Sequence, residues 1–147
     1  MICVLEDKLP VDEIISAAEA SHNGGSGAVV TFIGTVRNKS LGQAIQYLEY
    51  QAYKPMAERE MRRVAAEVEQ RWGLSCAMAH RVGRLEIGEA SIVIAVASPH
   101  RKAAFEACHY AIDRVKEIVP VWKKEVAIDG SWWVEDPLGA APVATKL

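Results

Sequence analysis

Three segments of the chain carry apolar residues at the three- to four-residue spacing of an amphipathic helix. The apolar stripes run from Val11 to Ala18, from Ala57 to Trp72 and from Ala104 to Val115. Gly73 favours the end of the second segment, because glycine readily adopts the left-handed conformation of a helix C-cap. Pro120 ends the third, because its ring excludes a helical hydrogen bond. The pattern therefore predicts three helices.

Runs of β-branched and apolar residues with turn signals at their ends predict strands between these helices. The run at 91–98 is almost continuously apolar, which is typical of a central strand. Within the run at 44–53, alternation assigns Ile45 and Tyr47 to one face and Leu48 and Tyr50 to the other. The segments predicted as strands are 2–5, 28–37, 44–53, 76–82, 91–98, 122–127 and 132–134. The last two are predicted to form a hairpin around Asp129-Gly130.

The order of these elements, β-α-β-β-α-β-β-α-β-β, predicts an α+β fold with a largely antiparallel sheet and helices packed on it. One domain is expected over residues 1–134, with a polar loop at 38–42 and turns around Leu85. The tail, residues 135–147, is expected to be irregular because it contains prolines and a glycine and has little to pack.

The chain has 147 residues, half of them apolar, and a net charge of −2. This composition suits a domain with a real core and argues against a general nucleic-acid binder, which needs a strongly basic surface. A cytoplasmic protein is expected, because the sequence shows neither a signal peptide nor a membrane-length apolar run. Cys76 and Cys108 lie in apolar patterns and are interpreted as buried. The cysteines lack metal-ligand spacing, so no metal or cofactor is expected.

The third helix carries positive side chains at both ends. His100 and Arg101 lie at its start, where free backbone amides favour an anion. Lys116 borders its apolar stripe fifteen residues after Arg101, roughly 22 Å along a helix. A small molecule does not reach both from one chain, so either these are two sites or a second copy of the chain completes one site. A surface arginine and a snorkelling lysine are the structural alternatives.

Two further segments suggest anion binding. Arg37 follows a glycine-containing strand and is either an anion clamp or an ordinary strand-end cation. In the segment after Pro120, Lys123 and Glu125 share one strand face, and Lys124 lies on the other. One lysine is expected to reach a pocket, and Lys124 is interpreted as an edge-strand charge. Three histidines lack metal-ligand spacing and are interpreted as structural: His22, His80 and His109.

These cations alone predict an anionic, phosphorylated small ligand and leave the reaction open. Five segments add to this picture: Gly27 to Asn38 (GAVVTFIGTVRN), Leu48 to Tyr53 (LEYQAY), His80 to Leu85 (HRVGRL), Ser98 to Arg101 (SPHR) and Val119 to Glu125 (VPVWKKE). In order and spacing they resemble the large, catalytic subunit of molybdopterin synthase. The resemblance covers roughly residues 27 to 134.

The resemblance implies an enzyme, a sulfurtransferase of molybdenum cofactor biosynthesis, with an α/β hammerhead-type domain and an added β subdomain. The family converts cyclic pyranopterin monophosphate to the molybdopterin dithiolene. Its sulfur arrives as a thiocarboxylate on the C-terminal Gly-Gly of a small ubiquitin-like subunit. Two large subunits form a homodimer core with one small subunit at each end, a heterotetramer. No nucleic acid or membrane is implied as a partner.

Carried over by residue, the resemblance makes Lys116 and Lys123 the catalytic residues. It also implies that the His-Arg pair reaches the pocket from the neighbouring large subunit. The residues implied in substrate binding are Arg37, His100, Arg101, Thr35, Val36, Lys124 and Glu125. The alternative function is a non-catalytic anion-binding scaffold subunit of the same fold.

Overall fold

The structure, a computed structural model, describes residues 1–128, 130–135 and 143–146. The three predicted helices are present as α1 (Val11–Ala20), α2 (Lys54–Trp72) and α3 (Arg101–Ile118). Gly73 closes α2 with a φ of 66°, and its N–H donates to the carbonyl of Glu69 at 2.7 Å. The glycine therefore acts as the predicted left-handed cap.

Ten strands form in the described residues, and most match a predicted segment. They are β1 (Ile2–Leu5), β2 (Ala28–Thr35), β3 (Lys39–Ser40), β4 (Gln43–Gln51), β5 (Cys76–Arg81), β6 (Gly83–Glu86), β7 (Ala90–Ser98), β8 (Trp122–Ala127), β9 (Gly130–Glu135) and β10 (Val143–Lys146).

The first sheet has the strand order β1-β5-β7-β2, so β7 is central, as its apolar run predicted. Only the β1–β5 pair is parallel in this sheet. Helices α2 and α3 cover one face, where Met61 and Val64 pack with Met78 and Ile94. Helix α1 covers the other face through Ile14 and small alanines. Two helix layers around one sheet give the main core.

The second sheet runs β10-β9-β8-β4-β3, with β6 also paired to β4. It has a small core of its own, formed by Val36, Ile45, Leu48, Leu85 and Ala127. Helices plus mixed and antiparallel sheets confirm the α+β class, and this second sheet is the β layer added to the helix-covered one.

The sequence interpretation was wrong at two places in this sheet. Ile45 joins Leu48 in the core because the register of β4 against β8 shifts between Ile45 and Tyr47. Such a bulge inserts one residue and moves the preceding side chain to the other face. Leu85 lies in β6 rather than in a turn, because pairing with β4 completes its hydrogen bonds and buries it fully.

At the C-terminus, β10 pairs antiparallel with β9 from Val143 to Lys146. At these four residues the structure has a strand where the sequence predicted an irregular tail, because β9 offers them an edge to pair with. Residues 136–142 and 147 lie outside the described residues, and the division at residue 134 stays a prediction.

The buried cysteines behave as apolar residues. Burial raises the pKa of Cys76 to about 12 and that of Cys108 to about 11. Both thiols therefore stay protonated near neutral pH, which removes them as nucleophiles.

None of the helices in the described part of the chain is both long and apolar enough to span a membrane.

Candidate active site

Two adjoining cavities lie where the second sheet meets α3 and β7. Both are lined by Tyr50 of β4, Ser91 and Ile92 of β7, Lys116 of α3 and Lys123 of β8. Tyr50 and Lys123 are direct cross-strand partners, so their side chains lie on the same face of the sheet. Four elements, β4, β7, α3 and β8, therefore meet at one wall that holds both predicted lysines.

The larger of the two, here called the outer cavity, has a volume of about 390 Å³ and a polar wall. Arg37 and Lys39 add two cations to the two shared lysines, and Thr35 and Glu125 also line it. Four positive side chains against one carboxylate make this cavity suited to an anion. Of the predicted site residues, Thr35, Arg37, Lys123 and Glu125 thus line this one cavity, and their roles stay predictions.

The smaller one, here called the inner cavity, has a volume of about 120 Å³. Apart from the shared residues, its wall is apolar except for His80. The additional lining residues are His80, Ile112, Val115, Val119 and Val121. The inner cavity is thus a smaller and mostly apolar extension that shares the two lysines with the outer cavity.

A bulge and a glycine shape the boundary between the cavities. The register of β2 against β7 shifts between Gly34 and Thr35, which leaves Ser91 as the extra residue. Its hydroxyl donates to the carbonyl of Gly34 at 3.3 Å. A Cβ on Gly34 would lie 2.9 Å from Cγ2 of Ile92, so the absent side chain keeps this wall open.

Glu125 supplies the negative charge of the site. Its Oε1 lies 3.6 Å from Nζ of Lys123, and the residue is 3% exposed. Its Oε2 is buried without a hydrogen-bond partner within the described part of the chain. Lys124 lies on the opposite face, 3.5 Å from Glu49. The strand alternation predicted from sequence is confirmed, and Lys123 is the lysine that reaches the cavities.

His80, Tyr50 and Ser91 belong to the site, and the sequence interpretation missed them. Burial lowers the pKa of His80 to about 4, and the charge of Lys116 acts in the same direction. Burial raises the pKa of Tyr50, whereas the neighbouring Ser91 side chain opposes that rise. A histidine within an apolar strand gave no local signal, since only the pairing of β5 with β7 brings it beside Lys116.

Other predicted site residues lie elsewhere in this chain. His100 and Arg101 are exposed at the start of α3, at the opposite end from Lys116. The side chain of Val36 is buried in the small core, and its backbone bonds to Glu89 and Gly88. Neither cavity includes Val36 or Lys124 in its wall. The two cavities of one chain therefore contain only part of the predicted set of site residues.

The fold and the cavities define an α+β protein with a cationic, two-part cavity at a sheet–helix junction. The profile of the MoaE protein family matches residues 4–118, and the chain belongs to that family. It is 55% identical over 114 residues to the molybdopterin synthase catalytic subunit of Bacillus subtilis, covering 77% of this chain and 73% of that protein.

Two solved structures also resemble this chain. A crystal structure of molybdopterin synthase from Staphylococcus aureus superposes with a TM-score of 0.86 at 41% identity, covering 91% of this chain and 96% of that one. A complex of subunits 1 and 2 of molybdopterin-converting factor from Helicobacter pylori superposes with a TM-score of 0.71 at 24% identity, covering 88% of this chain and 86% of that one. The second likeness shows the fold alone.

Proposed function

We propose that this chain is the catalytic subunit of a molybdopterin synthase, a sulfurtransferase acting on cyclic pyranopterin monophosphate. The observation that carries the proposal is that Lys116 and Lys123, from different elements, line the same two adjoining cavities. Family membership and the relatives' names support the reaction. The sulfur donor is a thiocarboxylate on the C-terminal Gly-Gly of a small ubiquitin-like subunit.

The outer cavity receives the pterin phosphate. Arg37 offers a guanidinium that pairs with two phosphate oxygens, and Lys116 and Lys123 add point charges beside it. A site assembled from cations on rigid strands and a helix keeps its geometry when the substrate is absent. Little reorganisation is then needed when charge develops during the reaction.

The inner cavity receives the end of the small subunit's tail. Its narrow bore and apolar wall suit an extended segment without side chains, which a Gly-Gly terminus provides. The thiocarboxylate then lies between Lys116 and Lys123, which form the boundary with the outer cavity.

The two lysines serve the chemistry between these cavities. The thiocarboxylate sulfur forms a bond to a pterin side-chain carbon, and an oxygen substituent leaves that carbon with its electron pair and takes up a proton. Water then attacks the acyl carbon and cleaves the acyl–sulfur bond, which leaves the sulfur on the pterin and releases the small subunit as a carboxylate. Each transfer develops negative charge on oxygen or sulfur and moves a proton. Lys116 and Lys123 stabilise that charge and act as general acid or base.

A second copy of the chain completes the anion site. Arg101 and Lys116 stand at opposite ends of α3, and fifteen residues of helix span roughly 22 Å. His100 and Arg101 are exposed, so they are available to a neighbouring subunit. We place two such chains at the centre of a cytoplasmic heterotetramer, with one small subunit bound to each.

One assay tests the function. The protein is mixed with thiocarboxylated small subunit and cyclic pyranopterin monophosphate, and dithiolene formation is measured for wild type, Lys116→Ala and Lys123→Ala. Wild type should form product, and each variant should lose about 100-fold or more in rate. Lys54→Ala, at an exposed lysine of α2 that lines neither cavity, is the control. An inactive wild type would instead support the scaffold alternative.

The shared site has its own test. Arg101→Ala and Lys116→Ala chains should each be inactive alone, and mixing them should leave one intact site in each mixed dimer. Random exchange should therefore restore about a quarter of wild-type activity. Native mass spectrometry shows whether mixed dimers form. If they form without activity, Arg101 and Lys116 do not act across the subunit boundary.

A further inference from the structure

His80 is held in one tautomer beside Lys116. Its Nδ1 lies 2.9 Å from the carbonyl oxygen of Arg81, which accepts only, so Nδ1 carries the proton. A neutral imidazole protonated at Nδ1 has a lone pair at Nε2. The backbone thus fixes which nitrogen of the ring is the acceptor.

Packing fixes the orientation of the same ring. His80 is 7% exposed, and the ring of Tyr50 meets it edge-on with centroids 5.4 Å apart. On the sheet, His80 is the direct partner of Ile92, which in turn faces Gly34. This row of three residues runs across β5, β7 and β2 beneath the two cavities, and the ring has no room to turn freely.

The surroundings keep His80 neutral. Burial depresses the pKa of His80 to about 4, the bond to Arg81 opposes this, and the nearby ammonium of Lys116 depresses it further. Near neutral pH the site therefore gains a hydrogen-bond acceptor without a further positive charge. Lys116, which has three donors and no acceptor, is chemically complementary to that acceptor.

We infer that His80 is a positioning residue for the sulfur-transfer reaction, because its Nε2 lone pair orients the ammonium of Lys116 at the boundary of the two cavities. The inference rests on the proposed function. His80 lines the inner cavity and not the outer one, and the inference assigns it no bond to the pterin or the thiocarboxylate. It acts through Lys116 by limiting the directions in which that flexible side chain extends.

Two near-isosteric substitutions separate this role from a purely structural one. In His80→Asn the amide nitrogen replaces Nδ1 and keeps the bond to Arg81, but the acceptor at the Nε2 position is lost. In His80→Gln the amide oxygen reaches the Nε2 position, but the bond to Arg81 is lost. If His80 has only a structural role, His80→Asn should be the less impaired variant. If His80 positions Lys116, His80→Gln should keep the higher activity.

The readout is steady-state kinetics together with the thermal unfolding midpoint. We expect His80→Asn to keep its midpoint and its KM for the pterin phosphate while kcat falls about 10- to 100-fold, the range for a hydrogen bond to a charged group. His80→Gln should recover most of kcat at a lower midpoint. In a Lys116→Ala background, His80→Asn should have no additional effect. His109→Asn, at an exposed histidine of α3, is the matched control.

The inference is overturned if folded His80→Asn keeps wild-type kcat, or if folded His80→Gln is as impaired as Lys116→Ala. The second criterion still applies when His80→Asn fails to fold. A wild type that forms no product would overturn the proposed function first. A wild type that is active, depends on Lys116 and is indifferent to His80→Asn would overturn this inference alone.

Discussion

The ammonium of Lys123 lies 3.6 Å from the carboxylate of Glu125, a residue that is 3% exposed. The two are next-but-one neighbours on β8, and their strand partners across β4 are Tyr50 and Leu48. A buried carboxylate is costly unless it is paired. Glu125 therefore anchors Lys123 in the cavity wall and balances part of the positive charge there.

Glu125→Gln tests this pairing. Without the carboxylate, Lys123 loses its anchor while the cavity becomes more positive, so we expect kcat to fall about tenfold or more, with unchanged or tighter binding of the pterin phosphate. Rapid-mix kinetics and calorimetric titration measure the two quantities. Glu49→Gln breaks the 3.5 Å pair with Lys124 on the opposite face and should stay within about twofold of wild type. Weaker phosphate binding in Glu125→Gln would contradict the assignment.

Gly34→Ala tests the open boundary between the cavities. The added methyl group would lie 2.9 Å from Ile92 and 3.4 Å from Phe32. We expect the free energy of unfolding to fall by about 1–3 kcal/mol and the KM for the pterin phosphate to rise. Chemical denaturation and steady-state kinetics measure both. Gly42→Ala, where φ is 77° and no atom lies within 4 Å of the new methyl, is strained without crowding a cavity and should leave KM unchanged.

Gly27→Ala tests how the start of α3 is held. A Cβ there would collide with the carbonyl oxygen of Pro99, and the Gly27 N–H donates to the carbonyl of Ser98. The variant should displace the segment that carries His100 and Arg101. We expect weaker phosphate binding in the assembled dimer, measured by calorimetry. Ser26→Ala removes a buried hydroxyl that has no partner in the described chain, so it should be neutral or slightly stabilising.

His80 also predicts a pH dependence of stability. Its folded-state pKa of about 4 lies below its unfolded value of about 6.5. Between these values the unfolded chain binds the extra proton, so the free energy of unfolding rises with pH. The contribution, about 3 kcal/mol, is full above pH 6.5 or so and is lost as the pH falls towards 4.

Urea denaturation of wild type and His80→Asn across this pH window isolates that contribution, because asparagine does not titrate and the carboxylates are common to both. The two curves should lie close together near pH 7, and His80→Asn should become the more stable of the two as the pH falls towards 4. A difference that is constant from pH 7 to pH 4 would mean that His80 titrates at its ordinary value in the folded protein.

The sequence by itself determined the features that depend on local periodicity. The helix stripes and the alternation of Lys123 with Lys124 follow from spacings of two to four residues, and the structure has them. These features hold because side-chain direction within one helix or strand is set by backbone geometry alone. The resemblance of five segments to a known family predicted the reaction, which the residue spacings alone did not specify.

Only the tertiary structure decided which distant residues meet. Tyr50, His80 and Ser91 join Lys116 because β4, β5, β7 and α3 converge on one cavity, and no local pattern encodes that convergence. The bulge before Tyr47 reversed the predicted face of Ile45 for a similar reason. Strand register is chosen by burial across the whole sheet, and a one-residue shift exchanges the two faces.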